Sequence, residues 1–470
     1  MATVDLLTNR FVGSVEHASE LYLLDRYRVG DGLFEYGNWL FPDKTIDLYG
    51  KSIRVATFYI NPHMLIKEAD VTAPEIRSKN RTFSMDGLNG LILVEFCRQR
   101  NCTIELVIDE VNMWGVILPN RTGNGIIGDV AERRADLGIG ALSSWYNCYQ
   151  YLTFSTPITR GSVTCLVPKP NLIPGWKLIT MVFATSVYLF IFGTFCAIVL
   201  VYMLIAHFMI RKIEQKSVLW NAFNVLAIFL LQSANIRNRS ASEAILTVTV
   251  LLYVMNMDGI YSGKYASLRT IPIYEPAINT LNDLASSGIP WLQTHKAWSF
   301  SLLLSKNPMI VKLVTNFRAY PPSELRRIAD QGGAAFALSH LNIGHLMLGE
   351  WITANNIHKY RLMREELFHE HEVAMGTKTW PLMERFNEVI SRTGSGLLMH
   401  AQRLRIVFQY DDYFVHTVAL NSHDREVNDP TALRLDDILG GLIVLGFGLL
   451  CAGAVFMMEV MFVRRSRRSI

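Results

Sequence analysis

Hydrophobic and polar positions divide this chain into two kinds of segment. In the first kind, apolar residues recur at short periods. Ile53–Ile60 (IRVATFYI) and Thr103–Asp109 (TIELVID) read as strands, while Leu88, Leu91, Ile92 and Phe96 stand at helical spacing. NGIIGDVAERRADLGIGAL predicts a helix then a strand, and FSTPITRGSVTCLVPKP a turn then a strand. Strands alternating with helices predict an α/β lobe with a largely parallel sheet. The same patterning resumes after residue 270. In TLNDLASSG, Thr280 and Asp283 stand in capping-box register with Gly288 at the C-cap, and PPSELRRIAD and PLMERFNEVISRTG read as helices.

In the second kind, apolar residues run on without interruption. Residues 178–210 contain no charge, more than the ~20 residues a helix needs to cross a bilayer. Residues 217–236 hold only Val225–Leu231 as an unbroken apolar core, which predicts a re-entrant loop rather than a crossing. Residues 244–264 form a second span with Asp258 and Lys264 near its end; 438–463 form the last, and 464–470 a basic tail. With 217–236 re-entrant, Lys212, Lys216, Arg237, Arg239 and the C-terminal arginines fall on one side, the cytoplasmic one. The globular pieces 51–175 and 271–436 then fall together on the other side.

Half the residues are hydrophobic and 18% charged, which fits a membrane protein better than a soluble one. The arginine cluster at 464–468 directly follows an apolar span, so it reads as a membrane anchor and not as a nucleic-acid surface. Six cysteines without a CxxC pair exclude a zinc spacing and a disulfide scaffold. The tract FHEHEV, with His369, Glu370 and His371, reads as a solvated charged helix and not as a metal site. Asn80, Asn101 and Asn120 each open a glycosylation sequon. Residues 1–50 show no clear motif and no signal peptide, and read as an N-terminal remnant whose start is truncated. No nucleophile–base pair, phosphate loop or cofactor motif points to an enzyme.

The order of these segments resembles the ionotropic glutamate receptors. NGIIGDVAERRADLGIGALSSWYNCYQYLTFSTPI is similar to the first half of their ligand-binding domain, TVLLYVMNMDGIYSGKYASLRTI to their gate helix, and INTLNDLASSGI and GTKTWPLMERFNEVISRTGSGL to the ends of the second half. The resemblance spans 51–465. It implies a bilobed, periplasmic-binding-protein-like α/β domain in two segments, with three transmembrane helices and a re-entrant pore loop. The family holds a ligand carboxylate with an arginine five positions before the aspartate of its DFSxP run, where this chain has Cys148. Its Pro-Leu-Thr is Ala141-Leu142-Ser143 here, the acidic partner of a ligand amine falls at Ser339, and the second half's usual cysteines are missing. A family body without its amino-acid site resembles the divergent ionotropic receptors of arthropods, which are chemosensory.

By that resemblance Ser143, Trp145, Tyr146 and Tyr149 line one side of a cleft, and Trp291, His295, Lys296 and Trp298 the other. Ser143, Tyr146 and Trp291 lead as ligand contacts, with Trp145 and Lys296 behind them; packing in the lobe cores is the competing role. Aromatic walls suit a partly apolar ligand, or an amine through cation–π contact. Leu231, Gln232 and Ser233 are pore candidates, with Asn235 equally suited to capping the pore helix. Asp258, Tyr261, Ser262 and Tyr265 share one helical face as gate candidates, an ion pair of Asp258 with Lys264 of a neighbour being the alternative. The reading is a ligand-gated cation channel subunit in the plasma membrane of a sensory dendrite. It acts as a hetero-oligomer, a tetramer with co-receptor subunits, gated by a small molecule other than glutamate. The alternative is a non-conducting, membrane-anchored binding or auxiliary subunit.

Overall fold

The computed structural model describes residues 2–12, 19–68, 76–78, 81–209, 218–233, 241–271, 273–341, 344–394, 404–406, 408–423 and 435–466. Asn80, Lys212, Lys216, Asn235, Arg237, Arg239, Arg467 and Arg468 lie outside them. The chain forms two units: Met1–Lys169 with Ile278–Arg425, and Pro170–Ala277 with Glu426–Ile470.

The first unit is built on one continuous mixed sheet. Its first lobe takes β1 (Lys51–Thr57), α1 (Gly90–Arg100), β2 (Cys102–Ile108), α2 (Gly125–Ala131) and β3 (Leu137–Ser143). β1 pairs in parallel with both β2 and β3, as strand–helix alternation predicts. β4 (Thr159–Pro168) then leads toward the second lobe, whose parallel core strands include β5 (Trp291–Gln293) and β6 (Ala335–Leu341). β7 (Phe368–Thr377) returns antiparallel to β4, and α3 (Met383–Gly394) closes the first lobe. Each lobe keeps its own core. Ile53, Phe96, Ile126 and Phe386 pack in the first, and Cys165, Trp291, Leu313 and Ala335 in the second. Among the described residues, β7 and the turn over Lys296–Leu302 carry apolar residues into both.

Local signals explain the element ends. The Thr280 hydroxyl accepts from Asp283 N and the Asp283 carboxylate accepts from Thr280 N, the expected capping box, and Gly288 ends that helix at φ +70°. A disulfide joins Cys97 to Cys102 across the C-cap of α1, where Asn101 takes a left-handed φ of +52°. Residues 1–50, read as featureless, contain an antiparallel sheet of Thr3–Asn9, Leu21–Arg28 and Leu33–Phe34. Its anchor is the buried Asp25 carboxylate, which accepts from the backbone N–H groups of Arg26, Tyr36 and Asn38. The FHEHEV tract is not helical: it lies on β7, with His369 and His371 exposed and Glu370 and Glu372 on the opposite face.

In the second unit, three helices among the described residues are long and apolar enough to span a bilayer: Thr185–Ile205, Ala241–Thr270 and Ile438–Met461. The first begins later than expected, because Gly175–Met181 forms a separate short helix. Between the first two spans lies Val218–Phe229, 12 residues long. It is shorter than the ~20 residues of a crossing. It ends in a Schellman pattern, with Leu231 N donating to Ile228 O, Gln232 N to Ala227 O, and Leu231 at φ +52°. Ile228 packs against Val250 and Val254, and Phe229 meets Phe195 at 5.5 Å.

Candidate functional site

A cavity of about 60 Å³ of free space opens between the lobes of the first unit. β4 and β7 form its floor, and both cross from lobe to lobe. In register, Thr159 faces Glu372 and Gly161 faces Glu370 across these strands, while Ser143 of β3 faces Glu372 from the other side. The two carboxylates are two residues apart, so they share one face.

The aromatic wall is assembled from both lobes. β3 carries a bulge where it pairs with β7, with Gly140 at φ +141° and Ala141 at φ +50°. The Trp114 indole N–H donates to the two carbonyls exposed there, Gly140 O at 3.0 Å and Ala141 O at 3.1 Å. From the other lobe, Trp298 meets Trp114 edge to face at 6.2 Å, and Phe300 meets Trp145 at 5.3 Å. A 3-10 turn over Lys296–Leu302 presents these rings. It starts where His295 Nδ1 accepts from Ala297 N, and burial, with Lys296 alongside, lowers the His295 pKa.

Charge in the cavity is concentrated on β7. The Ser143 and Ser301 hydroxyls both bond to the Glu370 carboxylate. Burial nonetheless pushes the Glu370 pKa above the usual carboxylate range; Glu372 adds to this and the two serines oppose it. Glu372 is 6% exposed. Its Oε2 lies 3.1 Å from Nδ1 of the fully buried His63, but the two are not aligned for a hydrogen bond. The other ring nitrogen of His63 lies 3.1 Å from Met347 Sδ.

Of the expected ligand contacts, Ser143 and Trp145 line this cavity, and so does Trp298. Trp291 does not. It is fully buried, its indole N–H donates to Leu313 O at 2.7 Å, and its ring packs on Phe317 in the second lobe's core. Tyr146 and Lys296 are exposed and outside the lining. Cys148, at the position of the family's arginine, is buried in the first lobe's core, where desolvation pushes its thiol up to about 12. It is a neutral packing group. Glu372, Trp114 and His63 were not among the expected contacts, and Glu370 was expected on a solvated helix instead of in the cleft. The alternation of His and Glu, running into the apolar VAMG, was the available signal for a strand with an acidic inner face.

In the second unit the gate candidates separate. The Tyr261 hydroxyl donates to Ile179 O at 3.1 Å and its ring meets Phe183, so Tyr261 packs inside the unit. Tyr265 stacks on Tyr261, half-buried. Asp258, Ser262 and Lys264 are exposed, as are Leu231, Gln232 and Ser233 at the end of the short helix. The stretches either side of the helices pair with each other: Ile173 N donates to Ile273 O and Glu275 N to Asn171 O. Asn101 and Asn120 are both exposed.

No protein-family model matches the chain. Among curated proteins it is similar to Glutamate receptor 2 of Caenorhabditis elegans, 21% identical over 254 residues, 49% of this chain and 25% of that protein. It is also similar to Glutamate receptor ionotropic, delta-2 of Mus musculus, 23% identical over 257 residues, 53% of this chain and 25% of that protein. The human delta-2 protein is 22% identical over 250 residues, covering 52% and 24%. The matched stretch thus spans about a quarter of these relatives' length. These weak similarities, with the mixed sheet and the three apolar helices, support the ionotropic glutamate receptor superfamily and a membrane protein.

Proposed function

We propose that this chain is a subunit of a ligand-gated cation channel, opened by a small molecule in the cleft between its two lobes. The observation that carries this reading is the chain path at the cleft floor. β4 lines the cavity at Gly161 and Val163, ends at Pro168 and leads within a few residues into the linker before the first span. That linker pairs with the one leaving the gate helix. A ligand that touches both lobes favours the closed cleft by its differential affinity for that state. Closure then pulls on 168–177 and 268–276, and through them on the helix ends around Tyr261–Tyr265. In a four-fold assembly with co-receptor subunits, the exposed Asp258 forms an acidic ring that favours cations. The lobes face the outside, Asn101 and Asn120 carry glycans, and the role is chemosensory, as in the divergent arthropod receptors.

The exposed Lys264 on the same helix favours the alternative, a non-conducting subunit that modulates a partner channel, because it sets a positive ring near the acidic one. Patch-clamp recording separates the two. Cells expressing the chain with a broadly expressed co-receptor subunit are exposed to a panel of amines, acids and neutral odorants. Evoked cation currents whose reversal potential shifts in Asp258→Lys support conduction by this subunit. Currents that need the chain but ignore Asp258→Lys support the auxiliary role. Absence of any evoked current across the panel overturns both.

A further inference from the structure

We infer that the cleft binds a small organic ammonium ion, its charge held by Glu370 and Glu372 and its carbon skeleton by the indoles of Trp114, Trp145 and Trp298. The inference takes its purpose from the ligand-gated reading above, on which it rests, but its chemistry comes from the cavity alone.

Two carboxylates on one face of β7 sit in a cavity whose other walls are mostly apolar. Each loses hydration there and repels the other. A neutral donor can offset part of the lost hydration but not the repulsion, and an anion worsens both, whereas a cation relieves the two together. No lysine or arginine is among the described lining residues. Lys296, the one cation expected in the cleft, is exposed outside it, and Cys148 is a buried neutral thiol. His63 is the nearest basic group to Glu372, yet Glu372 Oε2 has no aligned hydrogen bond among the described residues. The carboxylates also do not stand at Ser339, the position where the family resemblance places the acidic partner of an amine.

Independent features point to a ligand and not to a structural acidic pair. Trp145 is 94% buried (6% exposed), lines the cavity, and its indole N–H has no acceptor among the described residues. The Trp298 N–H is also without one. Buried indole N–H groups normally find an acceptor, so a hydroxyl or carbonyl on the ligand suits these positions. The faces of several indoles attract an ammonium lying within ~6 Å of a ring centroid. Room is provided beside the acids by Gly161. A Cβ built there meets Ser339 Oγ at 3.4 Å and Glu372 Oε1 at 3.7 Å, so a longer side chain would extend toward them. The free space of about 60 Å³ suits a short amine and not a peptide.

The test uses the purified full-length chain in lipid nanodiscs at pH 7, with binding read from quenching of tryptophan fluorescence and from thermal shift. The probes are ethanolamine, butylamine and phenethylamine, with butanol and butyrate as neutral and anionic controls. Saturable binding of at least one amine, with no saturable binding of butanol or butyrate, is expected. Glu370→Gln and Glu372→Gln are each expected to weaken it about tenfold or more while leaving the far-UV spectrum unchanged. Gly161→Val, which fills the site beside Glu372 without removing either charge, is expected to abolish it. Butyrate binding as tightly as the amines, no binding of any amine, or amine binding that persists unchanged in the folded Glu370→Gln/Glu372→Gln variant overturns the inference. Amine binding without amine-evoked current in the co-expression experiment leaves the inference standing and counts against the ligand-gated reading instead, so the two failures are distinguishable.

Discussion

The two units use burial in opposite ways. In the two-lobed unit, nearly every element turns an apolar face inward, and many of the polar groups that follow it inside are engaged. Asp25 collects three backbone N–H groups, and Trp114 bridges two carbonyls of a bulge. In the helical unit, only 11%, 11% and 6% of the residues in the three apolar windows are buried. Its internal polar contacts are few and short, such as Tyr202 OH to Thr247 Oγ1 at 2.8 Å. The first unit therefore carries its solvent-excluding core within one chain. The second leaves apolar surface exposed, as a membrane-embedded unit does, and its backbone is satisfied by helices. Several buried groups of the first unit nonetheless lack a hydrogen-bond partner among the described residues, and four of those residues, His63, Trp145, Trp298 and Glu372, meet in the cleft.

The sharpest way to test that the first unit is self-contained is to overfill its backbone. Gly115, at φ +71°, stands so close to the opposite strand that a Cβ would lie 1.7 Å from Asn124 O. Gly115→Ala is expected to cost more than about 4 kcal/mol, the exceptional end for one substitution. In thermal melts the tryptophan transition should collapse to far lower temperature, while the helical signal of the membrane unit persists. A parallel loss of both signals breaks the comparison. Next in size is Trp114→Phe, which keeps a ring but leaves the Gly140 and Ala141 carbonyls without their donor. A loss of about 1–3 kcal/mol is expected. Amine affinity should fall with it; stability loss with unaltered affinity would place Trp114 outside the binding wall.

What could be read in advance followed the range of the signal. Thr280 with Asp283, Gly288, the strand–helix alternation of 51–168 and the apolar spans are local patterns, and each forms, although the first span starts later than expected. The failures were matters of distance and composition. Trp291 was placed in the cleft by its loop, but its position is set by Leu313 and Phe317, more than twenty residues away. FHEHEV looked like a solvated helix because charge dominates its composition. Its period of two becomes decisive only once β3 and β4 flank it and make one face a cleft. Cys97 and Cys102 matched no familiar spacing; they meet because Asn101 turns the chain at the helix end. In TVDLLTN and LYLLDRYR the pairing that makes a sheet was likewise invisible within either stretch alone.

The second lobe offers a pH test. His345 and His416 stack at 4.5 Å, Asp411 contacts His345, and His416 Nε2 accepts from Leu346 N. Burial, then the neighbouring His345, lowers the His416 pKa to about 4, with Asp411 opposing. The unfolded chain therefore takes up this proton first, near its ordinary pKa of about 6.5. Stability from this site is complete above about pH 6.5 and is lost as pH falls toward 4. After allowance for solvent screening of a half-buried ring, the loss is on the order of 1–2 kcal/mol. Glu370 has the opposite sign, since its raised pKa favours the protonated folded form on acidification. Melts of the wild type and His416→Gln at pH 7 and 5 isolate the histidine. The variant, whose amide oxygen can still accept from Leu346 N, should lose less stability between the two. Equal losses remove His416 as the cause.

The smallest effect bears on the helical unit and on whether Val218–Phe229 turns back or continues across the bilayer. Leu231 sits at φ +52°, where its Cβ crowds the backbone, in a turn whose hydrogen bonds are those of a helix end. A left-handed conformation costs a residue other than glycine about 1–2 kcal/mol. Glycine is free of that cost, so Leu231→Gly should raise the melting temperature by an amount corresponding to at most about 1 kcal/mol, whereas Leu231→Val, branched at Cβ, should lower it. If instead the segment continued as a crossing helix, residue 231 would lie in a helix interior. There glycine is worse than other residues by about 1 kcal/mol, and Leu231→Gly would destabilise. The sign of one small shift, read in nanodiscs against Leu231→Val, thus decides between a reversing segment and a spanning one.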